Sequence, residues 1–216
     1  MKKFLIIVAI AIAVIAGGAL LKKDSKSGSS VVASPTNHTF GNGSTGVVVK
    51  EYADFQCPGC GAFFPILKEV KDKYKDKITF QFVHFPLSQL HQNALSAHRA
   101  AESAGNQGKF WEMHDLLYSN QKTWETSTFI SRDLEVYAQQ LGLDMAVYKV
   151  DFASSITNSI IQADIKTGQA LKVTGTPTFF IDGKQVEDNN SVASVEKFSA
   201  AIDAAIAAKA AQPTNN

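Results

Sequence analysis

The stretch "EYADFQCPGCGAFFP", Glu51 to Pro65, holds both cysteines of a 216-residue chain, Cys57 and Cys60. Just upstream, "GVVVKEYADF" is rich in β-branched and aromatic residues and follows the turn sequence "GNGSTG", which predicts a strand. Downstream, Phe63, Phe64, Leu67, Val70 and Tyr74 recur at helical spacing. "KITFQFVHFP" then alternates Ile78, Phe80, Phe82 and His84 with Thr79, Gln81 and Val83, a second strand. The cysteines therefore fall where strand gives way to helix in a βαβ unit.

Three chemistries compete for such a pair. A structural zinc site needs four ligands, but no third cysteine exists and no two histidines form a close pair with three to five residues between them, so no metal is expected. A staple across so short a loop removes little unfolded-state entropy. A reactive dithiol fits the placement best. At a helix start, unpaired N–H groups and the helix dipole stabilise a thiolate on Cys57. Pro58 suits the first helical position, where an N–H would have no partner. Cys60, nearly one turn on, can attack a mixed disulfide formed at Cys57. Glu51 shares the strand parity of Cys57 and is either a proton relay to the second thiol or a surface carboxylate. Pro65 should kink the helix that contains it.

From about residue 87 to 172 the chain reads as helical, with Gly105, Gly142 and Gly168 as punctuation and the first two as helix stops. The histidines in and around this region, His84, His91 and His98 among them, read as packing or surface residues. "TGTPTFFIDGKQV" gives two short strands about an Asp182-Gly183 turn, and a last helix runs from about Val192 to Ala211. The Thr176-Pro177 bond is a candidate cis peptide. Ahead of a strand it would leave the Thr176 backbone free to pair with an extended substrate segment. The fold class is thus α/β: βαβ, a helical insert, then ββα.

The N-terminus has another character. "FLIIVAIAIAVIAGGALL", Phe4 to Leu21, is uncharged and lies between Lys2-Lys3 and Lys22-Lys23. At about 18 apolar residues it is near the short end of a membrane-spanning helix. Residues 1–23 are read as an uncleaved anchor, with a cleaved export signal as the competing reading. Residues 24–38 read as a flexible linker, 39–211 as the folded domain and 212–216 as a frayed tail. Either reading of the N-terminus puts the domain outside the cytoplasm, where disulfides persist. Formal net charge is +1 with only two arginines, which excludes a basic nucleic-acid-binding surface.

Together "EYADFQCPGC", "KFWEMHDLLY", "LGLD" and "GTPTFFIDGK", in this order, resemble the DsbA-like thiol–disulfide oxidoreductases of the thioredoxin superfamily. The resemblance implies a thioredoxin fold interrupted by the helical insert. It implies Cys57 as the exposed nucleophile, Cys60 as the resolving thiol and Glu51 as the buried acid. Pro177 would be the cis proline, and Pro58, Gly59 and Thr176 would meet the substrate. It also implies no cofactor, reduced exported proteins as substrates and a membrane quinone-linked partner for reoxidation. Two features depart from the strongly oxidising pattern. Gly59 stands where those members carry His, and "KITFQFVHF" has no interior lysine to pair with Glu51. A reductase or isomerase of the same fold, or a non-catalytic binding module, are the competing functions.

Overall fold

Both strands expected around the first helix are present, and they pair in parallel. The computed structural model describes residues 33–212. The first half comprises β1 (His38–Phe40), β2 (Val48–Ala53), α1 (Pro58–Tyr74) and β3 (Thr79–His84). Next come α2 (Ala94–Gly105), α3 (Phe110–Ser119), α4 (Gln121–Trp124), α5 (Ile130–Gln140), α6 (Met145–Ala153) and α7 (Ser155–Ala170). The chain returns through β4 (Thr178–Ile181), β5 (Lys184–Gln185), a 3-10 turn (Asn189–Val192) and α8 (Val195–Ala210). The strands form one sheet in the order β1-β3-β2-β4-β5, antiparallel except between β2 and β3. This is a thioredoxin fold whose βαβ and ββα halves are separated by helices.

Strand alternation sets the layers. Val49 and Phe80 point to one face and bury against Leu67, Val70 and Tyr74 of α1 and Phe198 and Ile202 of α8. Tyr52, Val83 and Phe180 point to the other face, where they meet Phe85 and Val173. In the insert, Ala97, Ala100, Ala101 and Ala104 line one side of α2 and are fully buried. Their small side chains let α3 and α6 come close, bringing Met113, Leu117 and Tyr148 into the same core as Phe55, Phe82 and both cysteines. Trp124 of the short α4 is fully buried and donates its Nε1–H to the Leu117 carbonyl at 2.8 Å. No pattern in the sequence had pointed to that helix.

Two expectations change. Residues 33–38, read as the end of a spacer, are packed: Thr36 is buried and donates its N–H to Asp164 at 2.8 Å, and His38 opens β1. A polar composition suggested freedom, but specific partners hold the segment. Gly168 lies inside α7, whereas Gly105 ends α2 as expected. Helix α1 runs on through Pro65. The apolar run Phe4–Leu21 lies outside the described residues. Among the described residues no helix is long and apolar enough to cross a membrane.

Gly168 is required for space. A Cβ there would lie 2.7 Å from Phe85 Cε2 and 3.0 Å from Tyr52 Cδ1, both parts of buried rings. Alanine normally favours a helix over glycine by about 1 kcal/mol, but overpacking costs about 1–3 kcal/mol. Gly168→Ala is therefore expected to lower the stability by about 1–2 kcal/mol. Urea denaturation with an unchanged m-value would measure it, and a stabilised variant would contradict the packing described.

Candidate functional site: a dithiol at a helix start

Cys57 caps the N-terminus of α1 in an extended conformation, and Pro58 occupies the first turn. The turn before it is tightly held. Asp54, fully buried, accepts from the Gln56 N–H at 2.8 Å, the Leu87 N–H at 2.8 Å and His91 Nδ1 at 2.7 Å. Its carbonyl takes the Cys57 N–H at 3.1 Å. Gln121 of α4 donates to the carbonyls of Phe55 and Cys57 at 2.8 and 2.9 Å. Gln56 is fixed in turn by the Asn93 N–H and the Glu125 carbonyl. Sequence reading missed Asp54, Gln56, Asn93 and Gln121. Asp54 beside the dithiol carried a local signal, whereas Asn93 and Gln121 act across long sequence separations and carried none.

The 176–177 loop faces the dithiol. Thr176-Pro177 is a cis peptide, as the sequence suggested. The Cys57 thiol donates to the Thr176 carbonyl at 3.2 Å. A Cβ on Gly59 would lie 3.3 Å from Pro177 Cδ and 3.6 Å from Cys57 Sγ, so the glycine lets the loop approach. Asn189 supports the loop by donating to the Pro177 carbonyl at 2.9 Å. Pro58 is exposed and Gly59 partly so. This closeness corrects one expectation. Cys57 is only 8% exposed rather than open, because the loop and the α1 start cover its sulfur. It is still the more accessible thiol, since Cys60 is 1% exposed.

The two thiols are free and chemically unlike. Cys57 is brought down to about 5, foremost by hydrogen bonding with the Cys60 thiol, against burial that raises it. The N–H groups of Cys60 and Gly59 contribute further lowering. Cys60 is pushed well up by burial, by its bond to Cys57 and by the Glu51 charge.

Glu51 is buried, on the β2 face that leads to the cysteines, and one carboxylate oxygen has no hydrogen-bond partner among the described residues. Burial pushes it up to about 8, opposed by the charge of Lys71 and reinforced by that of Cys57. The cation absent from the strand comes instead from α1. Lys71, also buried, sets its Nζ 4.1 Å from the Trp111 ring centre and 5.3 Å from that of Phe40. Glu51, Lys71, Trp111 and His114 line a cavity with about 10 Å³ of water-accessible room, enough for about one water molecule. The two readings of Glu51 thus resolve toward the buried one.

A family model described as Thioredoxin matches residues 33–204. The chain belongs to the thioredoxin family. Over 177 residues it is 35% identical to a Na(+)/H(+) antiporter, NhaA 3 of Salinispora tropica, covering 82% of this chain and 26% of that protein. The chain thus spans about a quarter of the length of this curated relative. The alpha-DsbA1 crystal structure from Wolbachia pipientis has a TM-score of 0.68 at 21% identity, covering 83% of this chain and 96% of that one. DsbA2 of Pseudomonas aeruginosa gives 0.60 at 26% identity, over 78% and 94%. The fold is that of the DsbA-like thiol–disulfide oxidoreductases, as the motifs implied.

The raised value of Glu51 has a pH signature. Between the ordinary 4.5 and about 8 the folded protein holds a proton that the unfolded chain has lost. Stability therefore falls as pH rises through that window. In Glu51→Gln this slope should vanish, and above pH 8 the variant gains about 3–5 kcal/mol relative to its own deficit at pH 4. The buried amide adds a cost that does not vary with pH, so the slope is the readout. Parallel stability–pH curves for the two proteins would sink the assignment.

Proposed function

We propose that this domain is an extracytoplasmic thiol–disulfide oxidoreductase that introduces disulfides into exported proteins at Cys57 and Cys60. The observation that carries this reading is the asymmetry of the dithiol: Cys57 is lowered to about 5 at a helix start, and Cys60 is raised behind it. In the oxidised protein a substrate thiolate attacks Cys57 Sγ, and the Cys57–Cys60 bond breaks. The Cys60 thiolate that leaves takes up a proton, for which Glu51, a buried acid raised to about 8 whose charge acts on Cys60, is the donor. A second substrate thiolate then attacks the substrate sulfur of the mixed disulfide. Cys57 departs as the stabilised thiolate, and the substrate is oxidised by two electrons. No cofactor enters.

Residues 1–23 serve as anchor or export signal, 24–32 as the connection and 33–211, now including the packed segment before β1, as the catalytic domain with its insert at about 87–172. Residues 212–216 form the tail. A membrane quinone-linked protein would return the dithiol to the disulfide, and tethering would keep the domain near it. Pro58, Gly59, Thr176 and Pro177 border Cys57 and would receive the substrate chain. Thr176 O, now bonded to the thiol, would be released to pair with the substrate backbone once Cys57 is in a mixed disulfide.

Cys60→Ser should accumulate mixed disulfides with exported proteins, seen as a ladder after acid quenching and electrophoresis without reductant. A pattern identical to that of Cys57→Ser would defeat the mechanism. Direction is tested by the reduction potential. A reductase would equilibrate with glutathione buffers at a more negative value than an oxidase.

Gly59 sets how strong the oxidant is. A side chain at 59 would sit beside Cys57 Sγ, where a donor or positive charge favours the thiolate and hence the reduced form. Gly59→His should be more oxidising and have a lower Cys57 pKa. A shift of about 30 mV would match about 1.4 kcal/mol for this two-electron couple. An unchanged or more reducing potential would refute this role for the spacer.

A further inference from the structure

On the side of β3 that faces α2, three side chains from separate elements meet. His38 of β1 and His84 of β3 each direct Nε2 at the same oxygen, Glu102 Oε1 of α2, at 2.7 Å. The three ligand atoms all lie within 4.8 Å of one another. We propose that His38, His84 and Glu102 form a divalent zinc site that clips the start of the domain to its core.

The donor set fits the ion. Two imidazoles and one carboxylate suit zinc at about 2.0–2.2 Å, with water or the second carboxylate oxygen in the fourth position, an open site unlike the four-residue kind that the sequence does not supply. Calcium and magnesium, which prefer oxygen ligands, are poorly served by two imidazoles. Separations of 2.7 Å would open by roughly half an ångström to fit tetrahedral ligands at that radius.

The surroundings are built for a fixed geometry. Phe110 stacks on His38 with 3.5 Å between ring centres. A Cβ on Gly105 would lie 2.7 Å from His38 Cε1, so glycine makes room for the ring. His84, fully buried, meets His98 Nδ1 through its own Nδ1. His98 Nε2 in turn lies 3.8 Å from Asp54 Oδ1. Metal-binding histidines commonly have their second nitrogen held by such a partner.

Binding balances protons without release into the core. With zinc on His84 Nε2, the His84 proton resides on Nδ1 and faces His98 Nδ1. The His98 proton then resides on Nε2, toward Asp54, in place of the Phe55 N–H that Nε2 accepts at 3.4 Å. Zinc on His38 Nε2 likewise moves that ring's proton to Nδ1, so each of the three rings carries one proton before and after. The buried Glu102 carboxylate forms no ion pair with a lysine or arginine among the described residues. Its charge is met by the two imidazoles alone, which hold it below the usual carboxylate range, and a divalent cation would take over that role. Without metal the two imidazoles share Glu102 Oε1 as hydrogen-bond donors, and the same convergence is what a metal ion would use.

Reduced cysteines bind zinc themselves, so the test uses the full-length chain with its Cys57–Cys60 disulfide formed, alongside the Cys57→Ser/Cys60→Ser protein. After chelator treatment, zinc is titrated by competition with a chromophoric chelator, and zinc-edge X-ray absorption reads the ligands. One zinc per chain in both proteins, a nitrogen and oxygen shell with two imidazoles, and affinity at least tenfold weaker in His38→Ala are expected. Zinc should raise the melting temperature of the wild type and not that of His38→Ala. No stoichiometric zinc at micromolar concentration, a sulfur-containing shell, or undiminished affinity in His38→Ala would overturn the proposal. The wild-type spectrum decides even where the variant fails to fold. Because neither readout involves thiol exchange, a failure here leaves the redox proposal untouched.

Discussion

The Asp54 carboxylate ties together pieces that the chain keeps apart. It accepts from the turn that leads to Cys57, from Leu87 where the insert begins, and from His91. Burying a carboxylate is expensive unless donors surround it. Here three do, so the charge is held below its ordinary range despite full burial, with burial the largest opposing effect and His98 and His91 the foremost aids. Charge-assisted bonds of this kind are the stronger ones. They fix the end of β2 relative to the insert. Without that register, Gln121 could not reach the Cys57 carbonyl, nor Asn93 reach Gln56.

Glu51, three residues earlier in the same strand region, shows the opposite outcome from the same burial. Its unpartnered oxygen and the distance of Lys71 from full neutralisation leave it raised to about 8. Two buried carboxylates thus hold different protonation states at neutral pH because one has three donors and the other has none on Oε1. The first suits a structural brace. The second suits proton exchange, since an acid whose pKa lies near the working pH can both take and return a proton.

The parts of the site legible in sequence were local ones. A Cys-x-x-Cys at a strand–helix junction and "GTPT" before a strand each carry their chemistry within a few residues. Helical spacing and strand alternation gave the order of elements for the same reason. What escaped depends on contacts between distant positions. Lys71 read as one more charge on an amphipathic helix, yet Trp111 and Phe40 fold over it. Gln121 sits in a helix of four residues, too short for periodicity to register. His84 and His98 read as packing residues, and nothing local indicated that β1 would bring His38 to the same carboxylate as His84. Cys57 read as exposed because the loop that covers it lies more than a hundred residues away.

That covering loop has a consequence for how the dithiol could be tuned. Groups that act on the Cys57 sulfur, namely the N–H groups of Gly59 and Cys60 and any side chain placed at 59, stabilise a thiolate that exists only in the reduced protein. They therefore act on the difference between the redox states. Glu51 couples to both thiols of the reduced protein, raising Cys60 and being raised by the Cys57 charge, so it too weighs on the difference between the states, with Lys71 opposing it. Its further effect falls on Cys60 as that thiol gains or loses a proton, which is a matter of rate. In the proposed exchange the spacer and the proline loop would act on how strongly the domain oxidises, and the Glu51–Lys71 cavity would act on both that strength and how fast the second thiol turns over.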